Sequence, residues 1–252
     1  MPKQKVFIAE LANLFEAMLT AAKHMMENRK DCACADPEDR LRWLNGGALL
    51  FRALNLGACI VWAARQGFGE TVAVLARVLA EMEFNVAHSG EDLKGLKDYA
   101  VHCTHKHREW LEHLIASEPD ETVKSGFRET ASKLKVLLQS ETHQWERQVS
   151  KRAKGAGLER DYLWDYLTFS QQVHTSSGAL DGYVSEEEKK FVVNPKIPAT
   201  MTQMYLGLAM NRWFELVLRL FRGLAIKESA QFGAAIDDYN RFCEMVKSLG
   251  GP

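Results

Sequence analysis

Four polar side chains lie on one face of an otherwise apolar helical segment, residues 70–88: Arg77, Glu81, Asn85 and His88. They fall within roughly 80° of one another when 3.6 residues make a turn. The segment is apolar on nearly every other side, which is typical of a helix in the middle of a protein. Because a buried charge without a partner is costly, we expect Arg77 and Glu81 to pair with each other or with a neighbouring helix. A guanidinium in this setting can bind a carboxylate or another anion.

A second helical segment, about residues 158–176, supplies a neighbour for this face. Its stripe at helical spacing begins apolar and turns polar toward the C-terminal end: Leu163, Leu167, Ser170, His174 and Ser177. We expect His174 to point inward, where an imidazole can donate a hydrogen bond or act as a general base. The two segments predict a polar pocket in which Arg77 clamps an anion and Glu81 orients Arg77.

Two motifs carry a resemblance to a known family. Arg77-x3-Glu81 in an apolar helix, followed far downstream by Tyr166-x3-Ser170-x3-His174-Thr-Ser, resembles a bacterial all-helical family of unknown function. The resemblance implies a helical bundle and a recurring polar set, without an established activity. We take His174, Arg77 and Glu81 as candidate catalytic residues. The expected ligand-binding set is Arg77, Glu81, Asn85, Tyr166, Ser170 and His174.

The same polar residues have another interpretation. An internal network of ion pairs and hydrogen bonds that fixes the register of the helices would place the same residue types at the same spacing. A third function class is a helical protein–protein interaction module without catalysis. A buried histidine facing Arg77 would favour the pocket, and a broad apolar patch would favour the interaction module.

Histidine and glutamate side chains recur along residues 102–113. On a helical wheel they lie within roughly 100° of one another: His102, His105, Glu109, Glu112 and His113. This spacing suits metal ligands, but the opposite side of the helix is more apolar and carries Ala100, Cys103, His107, Trp110, Leu111 and Leu114. We therefore interpret the His/Glu stripe as the water-facing side of an amphipathic helix, and predict no metal site and no cofactor.

Arg108-x4-His113 in the same segment gives a rival function. The spacing resembles that of helical endoribonucleases of the higher-eukaryote-and-prokaryote nucleotide-binding type, whose dimers bring two such pairs together. In that interpretation Arg108 stabilises a phosphate and His113 acts as acid or base. With this composition about one such match arises by chance. The alternative is therefore a dimeric ribonuclease, with RNA a less favoured partner than a small ligand or a protein.

These residues have to be positioned by helices. Only 6 prolines and 17 glycines interrupt the 252 residues, so we predict an all-α fold and a single domain over residues 1–252. About eight helices are expected, with the segment near 178–198 as a loop or small hairpin. The predicted helices are 5–27, 36–66 (disturbed at 46–47), 70–88, 91–117, 119–149, 158–176, 201–227 and 230–248, with a basic loop at 151–157. The predicted core includes Leu75, Leu79, Met82, Val86, Leu137, Leu167 and Leu216.

The amino-acid composition narrows the possible function classes and the expected cellular location. The 32 basic and 33 acidic side chains give a net charge of -1, which argues against a polybasic nucleic-acid binder. The five cysteines are scattered and lack two pairs at zinc-ligand spacing, which fits a reducing cytoplasm. The apolar run 53–64 is too short to cross a bilayer and no signal peptide is predicted, so we expect no membrane partner and a cytoplasmic protein. The absence of phosphate-loop, nucleophile-elbow and HExxH motifs argues against common nucleotide-binding enzymes and metallohydrolases.

Overall fold

The computed structural model describes residues 2–27, 43–90, 92–138, 146, 148–173, 184–185, 190–191, 197–226 and 230–248. Within these residues the chain forms nine helices: α1 (Pro2–Glu27), α2 (Ala48–Arg65), α3 (Gly69–Ser89), α4 (Leu93–Ser117), α5 (Glu121–Leu138), α6 (Val149–Gly155), α7 (159–173), α8 (Ala199–Gly223) and α9 (Ala230–Ser248). A π-helical turn, Trp43–Gly47, leads directly into α2. The predicted all-α fold is confirmed.

Helix α7 is composite. It consists of the α-helical residues Glu159–Asp161, a π-helical turn at Tyr162–Tyr166, and α-helical residues Leu167–Val173. Single π-helical turns inside α-helices are frequent at functional sites, because the additional residue changes which side chains face inward. Here the turn ends at Tyr166, one of the residues singled out from the sequence.

The sequence predicted a loop or a small hairpin near residues 178–198, and the structure shows the hairpin. Strand β1 (Val184–Ser185) pairs antiparallel with β2 (Lys190–Phe191), with Val184 opposite Phe191 and Ser185 opposite Lys190. Each strand has two residues, so the hairpin leaves the all-α character of the fold unchanged.

Helix α3 lies at the centre of the packing, as its apolar sequence predicts. It contacts α2, α4, α6, α7 and, most extensively, α8. The largest fully buried side chain is Trp213 of α8, whose Nε1 donates a hydrogen bond of 3.0 Å to the backbone oxygen of Ala53 in α2. Gly57 permits this approach, since a Cβ atom there would lie 2.9 Å from Trp213 Nε1.

The predicted core is confirmed at most positions. Leu79, Met82, Val86 and Leu216 are buried, and Leu75 is half-buried against the same core, whereas the side chain of Leu137 lies outside the described ones. The prediction for Leu167 was wrong, because this side chain is 38% exposed. The inward face of α7 consists instead of Asp165, Tyr166, Phe169 and Ser170, so Leu163 and Leu167 lie on the outer side.

The predicted basic loop at 151–157 was also wrong. Most of this segment is α6, which ends at Gly155 and is followed by a turn in which Gly157 has φ 74°. Lys, Arg and Ala are strong helix formers, and Arg152 and Ala153 are buried, so packing and propensity outweigh the two glycines. Helix α5 ends at Leu138, earlier than predicted, and residues 139–145 and 147 lie outside the described ones.

One helix among the described residues, α2, is long and apolar enough by length and composition to cross a membrane. Its mean hydropathy is 1.4, and 44% of it is buried inside the protein. This helix of 18 residues is longer than the apolar run 53–64 from which the sequence analysis judged the chain too short to cross a bilayer. Helix α2 packs against α1, α3 and α8, which are the contacts of a core helix.

Candidate functional site

Arg77 is held between α3 and α7 by two hydroxyl groups. Its Nε donates a hydrogen bond of 3.0 Å to Ser170 Oγ, and its Nη2 donates one of 2.9 Å to the hydroxyl of Tyr166. The guanidinium carbon also lies 5.0 Å from the centroid of the Tyr166 ring. Three contacts from one helix fix the planar group in orientation, which lowers the entropy that it loses on binding a further partner.

Arg77 forms no ion pair with a described carboxylate. Both its side-chain hydrogen bonds go to neutral hydroxyls, and Nη1 has no hydrogen bond to a described residue. Arg77 is half-buried, while Tyr166 and Ser170 are buried. The site therefore combines a positive charge, limited water access and three unused guanidinium N–H donors, which is the arrangement that binds anions.

The two hydroxyls add to this donor capacity. Burial, followed by the nearby Glu81 carboxylate, raises the pKa of Tyr166 above its usual value, so its hydroxyl keeps its proton. Tyr166 and Ser170 each accept from Arg77 through oxygen, which leaves their protons available to an acceptor. Among the described residues no acceptor takes either proton.

The expected role of Glu81 in orienting Arg77 was wrong. Glu81 Oε1 lies 3.7 Å from Arg152 Nη2 of α6, and its side chain is 39% exposed. Arg152 is buried and donates from Nη1 to the backbone oxygen of Glu146 at 2.7 Å. Arg77 thus contacts α7 and Glu81 contacts α6, and the two residues do not pair with each other. This is the second of the two possibilities given by the sequence, in which the charged residues pair with a neighbouring helix.

Asn85 and His88 lie away from Arg77, toward the C-terminal end of α3. Asn85 is buried and donates from Nδ2 to the Tyr99 hydroxyl at 3.2 Å, while burial raises the pKa of Tyr99. Its Oδ1 is buried without a hydrogen-bond partner among the described residues. His88 is exposed beside Gly155. His174 lies outside the described residues, so its place in the pocket stays a prediction.

The ribonuclease candidates lie on α4. Arg108 Nε is 3.3 Å from Glu112 Oε1, so the guanidinium already has a carboxylate partner, and His113 is exposed. The prediction for the faces of this helix was partly wrong. His102, His105 and Glu109 are half-buried, whereas Cys103, His107 and Trp110 from the expected buried side are exposed. Within the described part of the chain, no group of three His, Cys, Asp or Glu side chains could hold a metal ion.

Sequence reasoning missed a second buried cluster, which is centred on Arg212 of α8. Arg212 Nη1 lies 3.0 Å from Glu83 Oε2, Nη2 lies 3.1 Å from Asp161 Oδ1, and Nε lies 3.0 Å from Asp165 Oδ2. Arg219 Nε adds a longer contact of 3.8 Å to Glu83 Oε1. The cluster joins α3, α7 and α8 through ion pairs in the described core.

Burial dominates the electrostatics of this cluster. Glu83 is fully buried, and burial raises its pKa to about 7 although Arg212 and Arg219 act in the opposite direction. Burial likewise raises the pKa of Asp165, with Arg212 partly offsetting it. Burial alone would lower the pKa of Arg212, but its three carboxylate partners outweigh this and raise it. Arg212 is therefore fully compensated by charge, in contrast to Arg77.

The sequence did contain a signal for this cluster. Glu83 is a single carboxylate on the side of α3 away from Arg77, and Asp161-x3-Asp165 puts two carboxylates on one face of α7. Arg212 lies two residues after the end of the apolar run 204–210. The missing information was the contact between α3 and α8, because Glu83 and Arg212 are 129 residues apart in the chain.

Comparison with known proteins identifies a single region of similarity. The model of a family of unknown function (DUF5677) matches residues 46–191. These residues include α2 to α7, and therefore Arg77 and Glu83 of α3 together with the residues of α7 that contact Arg77 and Arg212. No curated protein and no solved structure matches the chain.

Proposed function

This chain belongs to a family of unknown function (DUF5677), so its activity has to be inferred from its own site, and we propose that Arg77 binds the anionic group of a small ligand. The membership also confirms the expectation that the chain belongs to a family of unknown function. The proposal also includes three finer parts of the sequence interpretation. These are a bacterial source, the motif shared with the family, and a cytoplasmic location. Free thiols at Cys59, Cys103 and Cys243 support a reducing compartment.

The observation that carries the proposal is the difference between two arginines that both contact α7. Arg212 is surrounded by three carboxylates and can take no further anion without displacing one of them. Arg77 is held by neutral hydroxyls at 2.9–3.0 Å and keeps its charge for a partner. A cation that needs no rearrangement before it binds an anion is preorganised for that task.

The donor set defines the class of ligand. A guanidinium edge with two hydroxyl protons beside it matches the oxygens of a carboxylate or a phosphate monoester. One arginine supplies a single positive charge, so a monoanionic or dianionic group fits better than a polyphosphate. We assign binding to this site and no reaction, because the described residues near Arg77 include no nucleophile paired with a base.

The two other function classes receive less support. Arg108 of the ribonuclease interpretation is already paired with Glu112, whereas Arg77 has no described carboxylate partner. RNA binding through Arg108 and His113 therefore stays a prediction with weaker support. A role in protein–protein interaction rests on other residues than Arg77 and is compatible with a ligand site there.

Inorganic phosphate is the simplest probe of the Arg77 site. We expect calorimetric titration of the full chain with phosphate to show saturable binding that Arg77→Met abolishes and Arg77→Lys weakens, since Lys lacks the planar fork. The matched control is Arg65→Met, because Arg65 is an exposed arginine already neutralised by Glu16 at 2.6 Å. Equal ionic strength in all titrations separates binding from screening.

Two outcomes would overturn the proposal. One is phosphate and acetate binding that is equally strong in Arg77→Met and in the wild type. The other is an absence of saturable binding of phosphate and of acetate to the wild type. The hydrogen bonds from Arg77 to Tyr166 and Ser170 would then be purely structural.

A further inference from the structure

The carboxylate of Glu81 lies beside the Arg77 site and accepts no hydrogen bond from a described residue. Its single ion pair within the described part of the chain is the contact of 3.7 Å to Arg152 Nη2, which is longer than a hydrogen bond. The side chain of Glu81 is 39% exposed, so the carboxylate is open to water. Because an ionised carboxylate has about four acceptor positions, Glu81 keeps acceptor capacity for a donor that arrives from solvent.

The charge of Arg152 is shared between two carboxylates. Arg152 is buried in α6, and its Nη1 donates a hydrogen bond of 2.7 Å to the backbone oxygen of Glu146. The backbone N–H of Gln148 lowers the pKa of Glu146, and the charge of Arg152 acts in the same direction. Arg152 therefore lies near the carboxylate of Glu146 as well as that of Glu81, and the charge of Glu81 is only partly offset.

Arg77 and Glu81 present opposite charges at neighbouring points of α3. They are one helical turn apart, about 40° around the axis, and the Cβ atoms of such a pair lie about 5–6 Å apart. They do not pair with each other, because α7 holds the guanidinium through Tyr166 and Ser170 while Glu81 contacts α6. Tyr166 is close to both charges. Its hydroxyl is 2.9 Å from Arg77 Nη2, and its pKa is raised by burial and then by the Glu81 carboxylate.

A ligand that contacts both side chains has to carry charges of both signs. Its anionic group would accept from the three unused N–H donors of Arg77, and a primary ammonium would donate to Glu81. Glu81 repels a second negative charge beside Arg77, so a carboxylate fits this site better than a dianionic phosphate monoester. The two charged side chains stand on successive turns of α3, which calls for a few methylene groups between the two ends of the ligand.

This inference rests on the proposed function of Arg77 and narrows its ligand class. We propose that the ligand is an amino-carboxylate zwitterion, whose carboxylate binds Arg77 and whose ammonium binds Glu81. The ligand thereby bridges two opposite charges of α3 that do not reach each other. Charge-assisted hydrogen bonds at both ends fix its orientation and select against acids that lack the amine.

The first test compares two probes that differ in one amino group. Butyrate and γ-aminobutyrate have the same carboxylate and the same three methylene positions, and only the second carries an ammonium. In calorimetric titrations of the full wild-type chain, γ-aminobutyrate is expected to bind about tenfold more tightly than butyrate, the effect of one hydrogen-bonded charge. Butylamine lacks the carboxylate and is expected to bind more weakly than either, because Arg77 repels it.

The second test removes the charge of Glu81 and keeps its shape. In Glu81→Gln, γ-aminobutyrate is expected to lose its advantage over butyrate, while butyrate binds at least as tightly as to the wild type because a repelling carboxylate is gone. Glu112→Gln is the matched control, since Glu112 of α4 is also a partly exposed glutamate paired with an arginine, Arg108, at 3.3 Å. It is expected to keep the tenfold difference.

The fold of the variant needs its own control, because Glu81→Gln removes one partner of the buried Arg152. Circular dichroism reports the helices, and retained butyrate binding reports an intact Arg77 site. Glu81→Asp is the second variant. It keeps a negative charge near Arg152 and withdraws the carboxylate by one methylene group, so it is expected to weaken the binding of γ-aminobutyrate and to leave that of butyrate unchanged.

The results separate this inference from the proposed function. Equal affinity of the wild type for butyrate and γ-aminobutyrate would overturn the zwitterion and leave Arg77 as a site for simple anions. A preference for γ-aminobutyrate that persists in Glu81→Gln would also overturn it, because the ammonium would then bind elsewhere. If the wild type binds neither phosphate nor butyrate, the proposed function and this inference both fail.

Discussion

Replacing Arg212 with methionine is expected to lower the free energy of unfolding by about 3–5 kcal/mol, the largest effect of any polar substitution in the described core. The substitution removes one cation and leaves Glu83, Asp161 and Asp165 facing one another, with the carboxylate of Glu83 fully buried. Breaking a buried ion network by deleting one partner is costly because the remaining charges are left in a medium of low polarity. Urea denaturation followed by circular dichroism measures the change.

Arg77→Met is the matched comparison for this experiment. It removes an arginine that is bound by two neutral hydroxyls, so its removal leaves no buried carboxylate behind. We expect a loss of at most about 2 kcal/mol, the cost of two hydrogen bonds. If both variants were destabilised equally, the distinction between a structural Arg212 cluster and a ligand-binding Arg77 would be lost.

Glu83 is expected to make the protein less stable as the pH rises from about 4.5 to about 7. Burial raises the pKa of Glu83 to about 7 in the folded state, whereas an unfolded glutamate titrates near its ordinary value of about 4.3. Between these two pH values the folded state binds more protons than the unfolded state, so stability falls with rising pH. The shift corresponds to at most about 4 kcal/mol. The raised pKa of Asp165 acts in the same direction.

The measurement is the free energy of unfolding of the wild type and of Glu83→Gln across this pH range. The glutamine variant cannot take up the proton, so its stability is expected to change less with pH. Glu112→Gln, at an exposed glutamate of α4, is the control and is expected to keep the wild-type slope. A wild type whose stability increases through this range, or a variant with the wild-type slope, would show that Glu83 stays ionised throughout.

The sequence predicts local structure well where one helix carries its own signal. The apolar period gave α3 within one residue at each end, and α9 begins at Ala230 and ends at Ser248 as expected. The spacing of Tyr166 and Ser170 also places them on one face of α7, and the structure brings both to Arg77. These features depend on helical period and on the nearest packed neighbour, and both can be inferred from spacing.

Features that depend on which helices touch were not predictable in the same way. Arg152 looked like part of a solvated basic loop, but α6 packs on α3 and buries it beside Glu81. Trp110 was assigned to a buried side because it lies opposite a polar stripe. In the structure the polar side of α4 is the half-covered one, since no described element packs over Trp110. Amphipathicity shows that a helix has two sides, and tertiary contacts decide which one is covered.

The most direct test of the central claim is to observe the arginine side chains themselves during a phosphate titration. Nitrogen-15 NMR resolves the Nε–H groups of arginines, and the signals of Arg77 and Arg212 can be assigned from their loss in Arg77→Lys and in Arg212→Lys. We expect the Arg77 signal to shift saturably with phosphate while the Arg212 signal stays unchanged. An Arg77 signal that does not move at phosphate concentrations that saturate binding elsewhere, or an equal shift at both arginines, would contradict the assignment of Arg77 as the anion-binding residue.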